Sequence, residues 1–279
     1  MKQIVIKILN YFSYILFFYV IFQVFQTDNS TILNKVFSNI KNLLIGLTFL
    51  VIGNSLTGVT WSIFVNKFYN IDLKLSFIEW LNSYKAKYIP GKITSPIIRI
   101  QHNNFDNMRK ELYFAIFIEQ VYQVLCNFLI GSYLIFWDIY RFEYHIIFYF
   151  LINIFLYFTR NINYKDFNLK YFTYVIFIQF GAIFNLAGLY FASKVFVFEN
   201  EFKIALLYLL VHSISVVLSI APAGIGVREY GLIELSKTFK IYFESIDFVA
   251  LAFRIYSILG DVIIISISII TNIYIREKS

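Results

Sequence analysis

Long apolar stretches constrain this chain more than anything else in it. Seven runs reach or approach bilayer length: Ile4 to Phe25, Leu43 to Phe64, Leu112 to Trp137, Tyr144 to Phe158, Tyr171 to Ser193, Ile204 to Ile220 and Phe248 to Ile275. A crossing takes about 20 mostly apolar residues as a helix, because nothing in lipid satisfies an exposed backbone N–H or C=O. The sequence therefore predicts an all-α, polytopic transmembrane bundle of about seven spans, forming one integral membrane domain over residues 1–279. Composition agrees. Hydrophobic residues make up 59% and charged residues only 15%, against roughly a quarter charged in soluble domains. No stretch is left for a soluble domain that hosts separate chemistry.

The fourth and sixth runs are short enough to be tilted or broken helices. The first has Lys2 and Lys7 ahead of its core, as a signal peptide would, but Gln23 to Thr27 offers no small-residue cleavage site. It is expected to stay as an anchor. Orientation follows from Lys and Arg, which accumulate on the cytoplasmic side. With the N-terminus inside, sixteen basic residues fall in inner segments and seven in outer ones, Arg254 lying within the last span. The expected location is the inner (plasma) membrane, multi-pass, with a cytoplasmic N-terminus. Seven crossings leave the C-terminus outside, and one extra crossing between residues 222 and 245 would return it.

Several function classes lose support at once. Cys126 is the single cysteine and can form no intramolecular disulfide. His102, His145 and His212 are scattered without ligand spacing, so no metal and no cofactor is expected. The net charge of +7 flanks apolar spans and forms no soluble basic face, which argues against nucleic acid. No paired carboxylates, nucleophile elbow or metal motif points to an enzyme.

Two segments fit neither a span nor an ordinary loop: Trp80 to Gln101, containing Tyr88-Ile89-Pro90-Gly91-Lys92, and Ser219 to Leu235, containing Pro222-Ala223-Gly224-Ile225-Gly226-Val227-Arg228-Glu229. All three prolines, Pro90, Pro96 and Pro222, lie in them. Proline removes a helix donor and glycine frees the backbone, so each segment should end one short helix and begin another. Such interrupted segments in corresponding halves mark transporter sites built from discontinuous helices. Two interfacial elbows are the alternative. Four crossings counted between the segments would put both on the cytoplasmic side, whereas an inverted repeat needs an odd number.

These residues carry a resemblance. Pro222-x-Gly224-x-Gly226-x-Arg228-Glu229 resembles the P-x-G-x-G-x-R-E signature of the lysylphosphatidylglycerol synthase transmembrane-region family, the flippase-like membrane part of lysyl-phospholipid synthases. Tyr88 to Lys92 followed by Arg99 resembles that family's earlier Pro-Gly motif and its arginine. Glu119 resembles the acid of its E-R-x-x-D stretch, and Arg254 the arginine of its last long helix. The resemblance runs from about residue 40 onwards. Gln120 and Gln123 stand where the family often has Arg and Asp, which departs from an ionic relay there. It implies a flippase-like protein that moves or handles phospholipids or lipid-linked glycans in the cell envelope. Lipid lysylation is not expected, since only a few residues follow the last span. The alternative is a membrane-embedded enzyme or accessory subunit of envelope glycan or lipid biosynthesis.

The candidate substrate-binding residues are Pro90, Gly91, Arg99, Glu119, Pro222, Gly224, Gly226, Arg228, Glu229, Arg254 and Asp261. Charges at membrane depth are costly and face a bundle interior, which singles out Glu119, Arg254 and Asp261. Arg254 and Asp261 share a helix face but lie about 10 Å apart along the axis, too far to bond. Arg254 could take Glu119 or Glu229, and Asp261 could take Arg228 or Arg99. Arg228, at the start of a helix, is placed to hold a phosphate through its fork of donors. Lys85, Lys87, Lys92 and Arg99 would attract anionic lipid or merely obey the positive-inside rule. Membrane lipids with anionic or lipid-linked headgroups are the expected partners, and oligomers are compatible with the sequence.

Overall fold

The computed structural model describes residues 38–69, 71–84, 99, 109–136, 170–196, 200–218, 226–241 and 246–276. The described residues are all helical or connecting. In chain order they form α1 (Ile40–Tyr69), α2 (Leu73–Tyr84), α3 (Arg109–Phe136), α4 (Lys170–Phe196), α5 (Glu201–Leu218), α6 (Val227–Thr238) and α7 (Ile246–Arg276). Three of them hold stretches long and apolar enough to cross a membrane: Ile40–Asn66, Ile176–Phe196 and Phe248–Tyr274. The chain is thus a helical membrane protein. The expected first and fourth spans, Ile4 to Phe25 and Tyr144 to Phe158, lie outside the described residues.

The burial pattern matches a lipid solvent. On α7 the outward face carries Ile255, Leu259, Val262 and Ile270, all exposed, while Arg254 and Asp261 on the opposite side are 3% and 2% exposed. Polar groups turn inward and alkyl groups outward, as they must where the surroundings hydrogen-bond to nothing. At 12 residues, or about 18 Å, α2 is too short to cross. It starts where it does because Asp72 accepts from the N–H of Leu75 at 3.0 Å, an N-cap. Asn66 in the last turns of α1 donates to the carbonyl of Ile71 at 2.7 Å and fixes the turn between them.

The core is organised by α1 lying antiparallel along α4. Gly46 of α1 faces Gly188 of α4, and Gly53 faces Gly181 and Asn185. Helices in lipid gain nothing from hiding leucine, so close backbone approach through small residues is what holds them together. The other long helices take their directions from this pair. Tyr256 of α7 donates to the carbonyl of Gly188 at 2.9 Å beside Gly46, and Gly260 lies on Leu50 one turn further, so α7 runs parallel to α1. The end of α3 at Leu134 shares a core with Leu189 and Val195, while Ile116 and Cys126 share one with Ile178 and Ala182. Consequently α3 runs parallel to α4. α5 packs on α3 and α4, α2 on α1 and α7, and α6 on α5 and α7.

The seam yields a test. A β-carbon at Gly188 would sit 3.0 Å from both the carbonyl of Gly46 and the N–H of Leu50, backbone atoms that cannot yield. At Gly231 it would meet only the Val211 side chain. Gly188→Val is expected to cost about 1–3 kcal/mol, the usual range for overpacking. Thermal unfolding in detergent should show a clear drop, and Gly231→Ala a small one; equal losses would mean that the bundle is held elsewhere.

Candidate functional site

Two buried clusters of charge sit inside the bundle, each built around an arginine from one of the two segments singled out by proline and glycine. In the first, Arg99 donates through Nη1 to Oε2 of Glu119 at 2.8 Å and through Nε to the hydroxyl of Ser83 at 3.1 Å. Its guanidinium lies 5.4 Å from the centre of the Trp61 ring, within cation–π range. α1 supplies the tryptophan, α2 the serine and α3 the carboxylate. Arg99 and Glu119 are 5% and 2% exposed, so neither could be left alone without a heavy desolvation penalty.

The second cluster gathers on the start of α6. Gly226 has φ of 81°, the left-handed region that a side chain disfavours, and its N–H donates to Oε2 of Glu229 at 2.7 Å. The carboxylate three residues into the helix thus folds back on the residue that opens it, one half of a capping box. The other oxygen of Glu229 lies 3.6 Å from Nε of Arg254 on α7. Arg228 points the other way, its Nε donating to the hydroxyl of Ser215 on α5 at 3.1 Å. Among the described residues no carboxylate lies within ion-pair distance of Arg228, which is 4% exposed.

The structure brings the expected residues together in a different pairing. Glu119 takes Arg99 and not Arg254, because α2 and α3 enclose Arg99 from both sides. Arg254 takes Glu229, one of its two anticipated partners. Asp261 accepts from the hydroxyl of Tyr84 at 2.8 Å, a neutral partner that the charge pattern did not suggest. Gly226, Arg228 and Glu229 open a helix as expected. Pro90, Gly91, Pro222 and Gly224 lie outside the described residues.

Four side chains escaped the sequence, Ser83 and Ser215 within the clusters and Tyr84 and Glu79 outside them. Glu79 is the one with a usable signal, a lone acid between apolar neighbours in Phe77-Ile78-Glu79-Trp80. It is buried on α2, and neither of its carboxylate oxygens has a hydrogen-bond partner among the described residues. Burial pushes its carboxyl up to about 7, because desolvation penalises the ionised form.

No protein-family model matches the chain, and neither curated protein sequences nor solved structures yield a match.

Glu79 makes stability depend on pH. Its carboxyl ionises at 4.5 in the unfolded chain and at about 7 in the fold. The folded state therefore binds the proton more tightly, and its advantage shrinks as pH rises between those values, levelling off above the upper one. Glu79→Gln, which keeps the shape without the charge, should remove this decline. Melting curves of both proteins across that pH range check it, and parallel curves would show that Glu79 is solvated.

Proposed function

We propose that the chain is a flippase-like membrane protein that binds phosphate-bearing lipid headgroups, on phospholipids or lipid-linked glycans, in the multi-pass, N-in arrangement expected from its sequence. The observation that carries this is Arg228. A guanidinium buried in a bundle that faces lipid, with only the neutral Ser215 hydroxyl and Tyr208 phenol beside it and no carboxylate as its partner among the described residues, is a positive charge that calls for an anion. Phosphate fits the planar fork of guanidinium donors in a bidentate way. The resemblance to the lysylphosphatidylglycerol synthase transmembrane region points to the same chemistry, since it rests on Arg228 and its neighbours Pro222, Gly224, Gly226 and Glu229.

The two clusters divide the work. Arg99 has Glu119 at 2.8 Å, so an anion arriving there must compete with a carboxylate already in place. Glu229, by contrast, is committed to the N–H of Gly226 and to Arg254, leaving Arg228 to an outside anion. Among the described residues Arg228 and Arg254 bring two positive charges to the start of α6 against the one negative charge of Glu229, which favours an arriving phosphate. Binding would draw α5, α6 and α7 together, because those helices supply Ser215, Arg228 and Arg254 respectively.

Lysine at position 228 keeps the charge and loses the fork, whereas alanine loses both. A ligand that binds only the folded state raises its stability. Added phosphatidylglycerol should therefore raise the melting temperature of the wild-type protein in detergent, Arg228→Lys should keep part of that gain, and Arg228→Ala almost none. Phosphatidylcholine serves as the zwitterionic control. An undiminished gain in a folded Arg228→Ala protein would overturn the headgroup assignment.

A further inference from the structure

The helix order repeats itself. A long helix, a short or polar-ended one, a buried arginine and a second long helix occur as α1, α2, Arg99, α3 and again as α4, α5, Arg228, α7, the second arginine standing at the start of the additional helix α6. The packing repeats with it. α1 lies along α4, α2 on α7 is matched by α5 on α3, α1 on α2 by α4 on α5, and α7 on α1 by α3 on α4. Since α1 and α4 are antiparallel, with α7 parallel to the first and α3 to the second, exchanging the halves reproduces the bundle upside down.

Individual residues obey the same exchange. One constant shift along the chain takes Gly46 to Gly181, Phe49 to Phe184, Leu50 to Asn185 and Gly53 to Gly188. Contacts across the seam come in matching pairs under it. A methyl at Gly46 would lie 2.9 Å from the carbonyl of Gly188, and one at Gly181 lies 3.1 Å from that of Gly53. One at Gly53 would lie 2.9 Å from the N–H of Asn185, and one at Gly188 lies 3.0 Å from that of Leu50. Phe49 packs on its own counterpart Phe184 with ring centres 5.7 Å apart, which puts it on the axis. Such self-complementary contact is the signature of two-fold packing. Beyond the seam the spacing is no longer constant, yet each of the two arginines gives its Nε to a serine at 3.1 Å, Arg99 to Ser83 and Arg228 to Ser215.

We infer that residues Ile40–Phe136 and Lys170–Arg276 are two copies of one unit inserted in opposite directions, and that the Ser83–Arg99 and Ser215–Arg228 clusters are one headgroup site present twice, reached from opposite faces of the membrane. The ligand class, a phosphate-bearing headgroup, rests on the function proposed above; the inverted architecture does not. In the architecture α7 crosses in the direction of α1, so the segment holding α6 faces away from the cytoplasm. The basic residues still fall fifteen to eight in favour of the cytoplasmic side, so the positive-inside rule is met by this arrangement as well. Inverted repeats of this kind let two halves rock about a shared site and expose it to each side in turn.

The architecture is tested by placing single cysteines at the exposed positions Lys41, Lys74 and Lys237 in a Cys126→Ala background and labelling intact and permeabilised cells with an impermeant maleimide. Lys41 and Lys237 are expected to react from one face and Lys74 from the other. Labelling of Lys237 from the face of Lys74 would overturn the inverted repeat, whatever the protein transports. The duplicated site is tested in proteoliposomes with fluorescent phosphatidylglycerol, using Arg228→Lys and the double variant Arg99→Gln, Glu119→Gln, which leaves no lone buried charge. Each should slow translocation tenfold or more. Opposite sidedness with translocation unchanged in both would overturn the headgroup site and leave the repeat standing.

Discussion

Close backbone contact between α1 and α4 is the constraint from which the rest of the structure follows. Two helices that meet through Gly46, Gly53, Gly181 and Gly188 can approach until one backbone touches the other. In lipid this is worth more than apolar burial, because the acyl chains solvate leucine as well as a protein core does. Only after that pair is set do α7 and α3 have a groove to occupy, and Tyr256 reaches the Gly188 carbonyl because no side chain intervenes. Beside the glycines the ring of Phe49 stacks on Phe191 and packs tilted against Phe184.

With the frame fixed, the buried charges become affordable in physical terms. Each guanidinium and carboxylate removed from water loses several kcal/mol of solvation, and the clusters recover it through paired contacts drawn from different helices. Arg99 ties together α1, α2 and α3 through Trp61, Ser83 and Glu119. Glu229 ties the opening of α6 to α7. The charges therefore specify which helices meet, while the glycines specify how closely. Asn82 adds a neutral counterpart, accepting hydrogen bonds from Ser268 and Asn272 to hold α2 on α7.

What was legible in the sequence divides along the same line. Hydropathy located the helices α1, α4 and α7, because the requirement for a closed backbone in lipid is strong and local. The helix start at Gly226 was visible because that motif constrains the backbone itself. Partner choice was not legible. Glu119 with Arg99 and Asp261 with Tyr84 depend on which helices are neighbours, and neighbour order is set by glycines that look unremarkable among apolar residues. Ser83 and Ser215 were missed for the same reason, since a serine within a helix signals nothing until an arginine arrives beside it. Glu79 stood out only as an acid in an apolar run, and its lack of partners needed the fold.

The α1–α4 seam also has a bearing on how the chain is made. Ribosomes deliver about 5–20 residues each second, and Gly188 emerges roughly 140 residues after Gly46, so α1 waits on the order of ten seconds or more for the helix that fits it. Throughout that interval its glycine face lies against lipid or against whatever guides nascent helices into the membrane. The contacts that Arg99 makes with α1, α2 and α3 lie within the first half and can form in the order of synthesis, whereas the glycine seam cannot close until α4 enters.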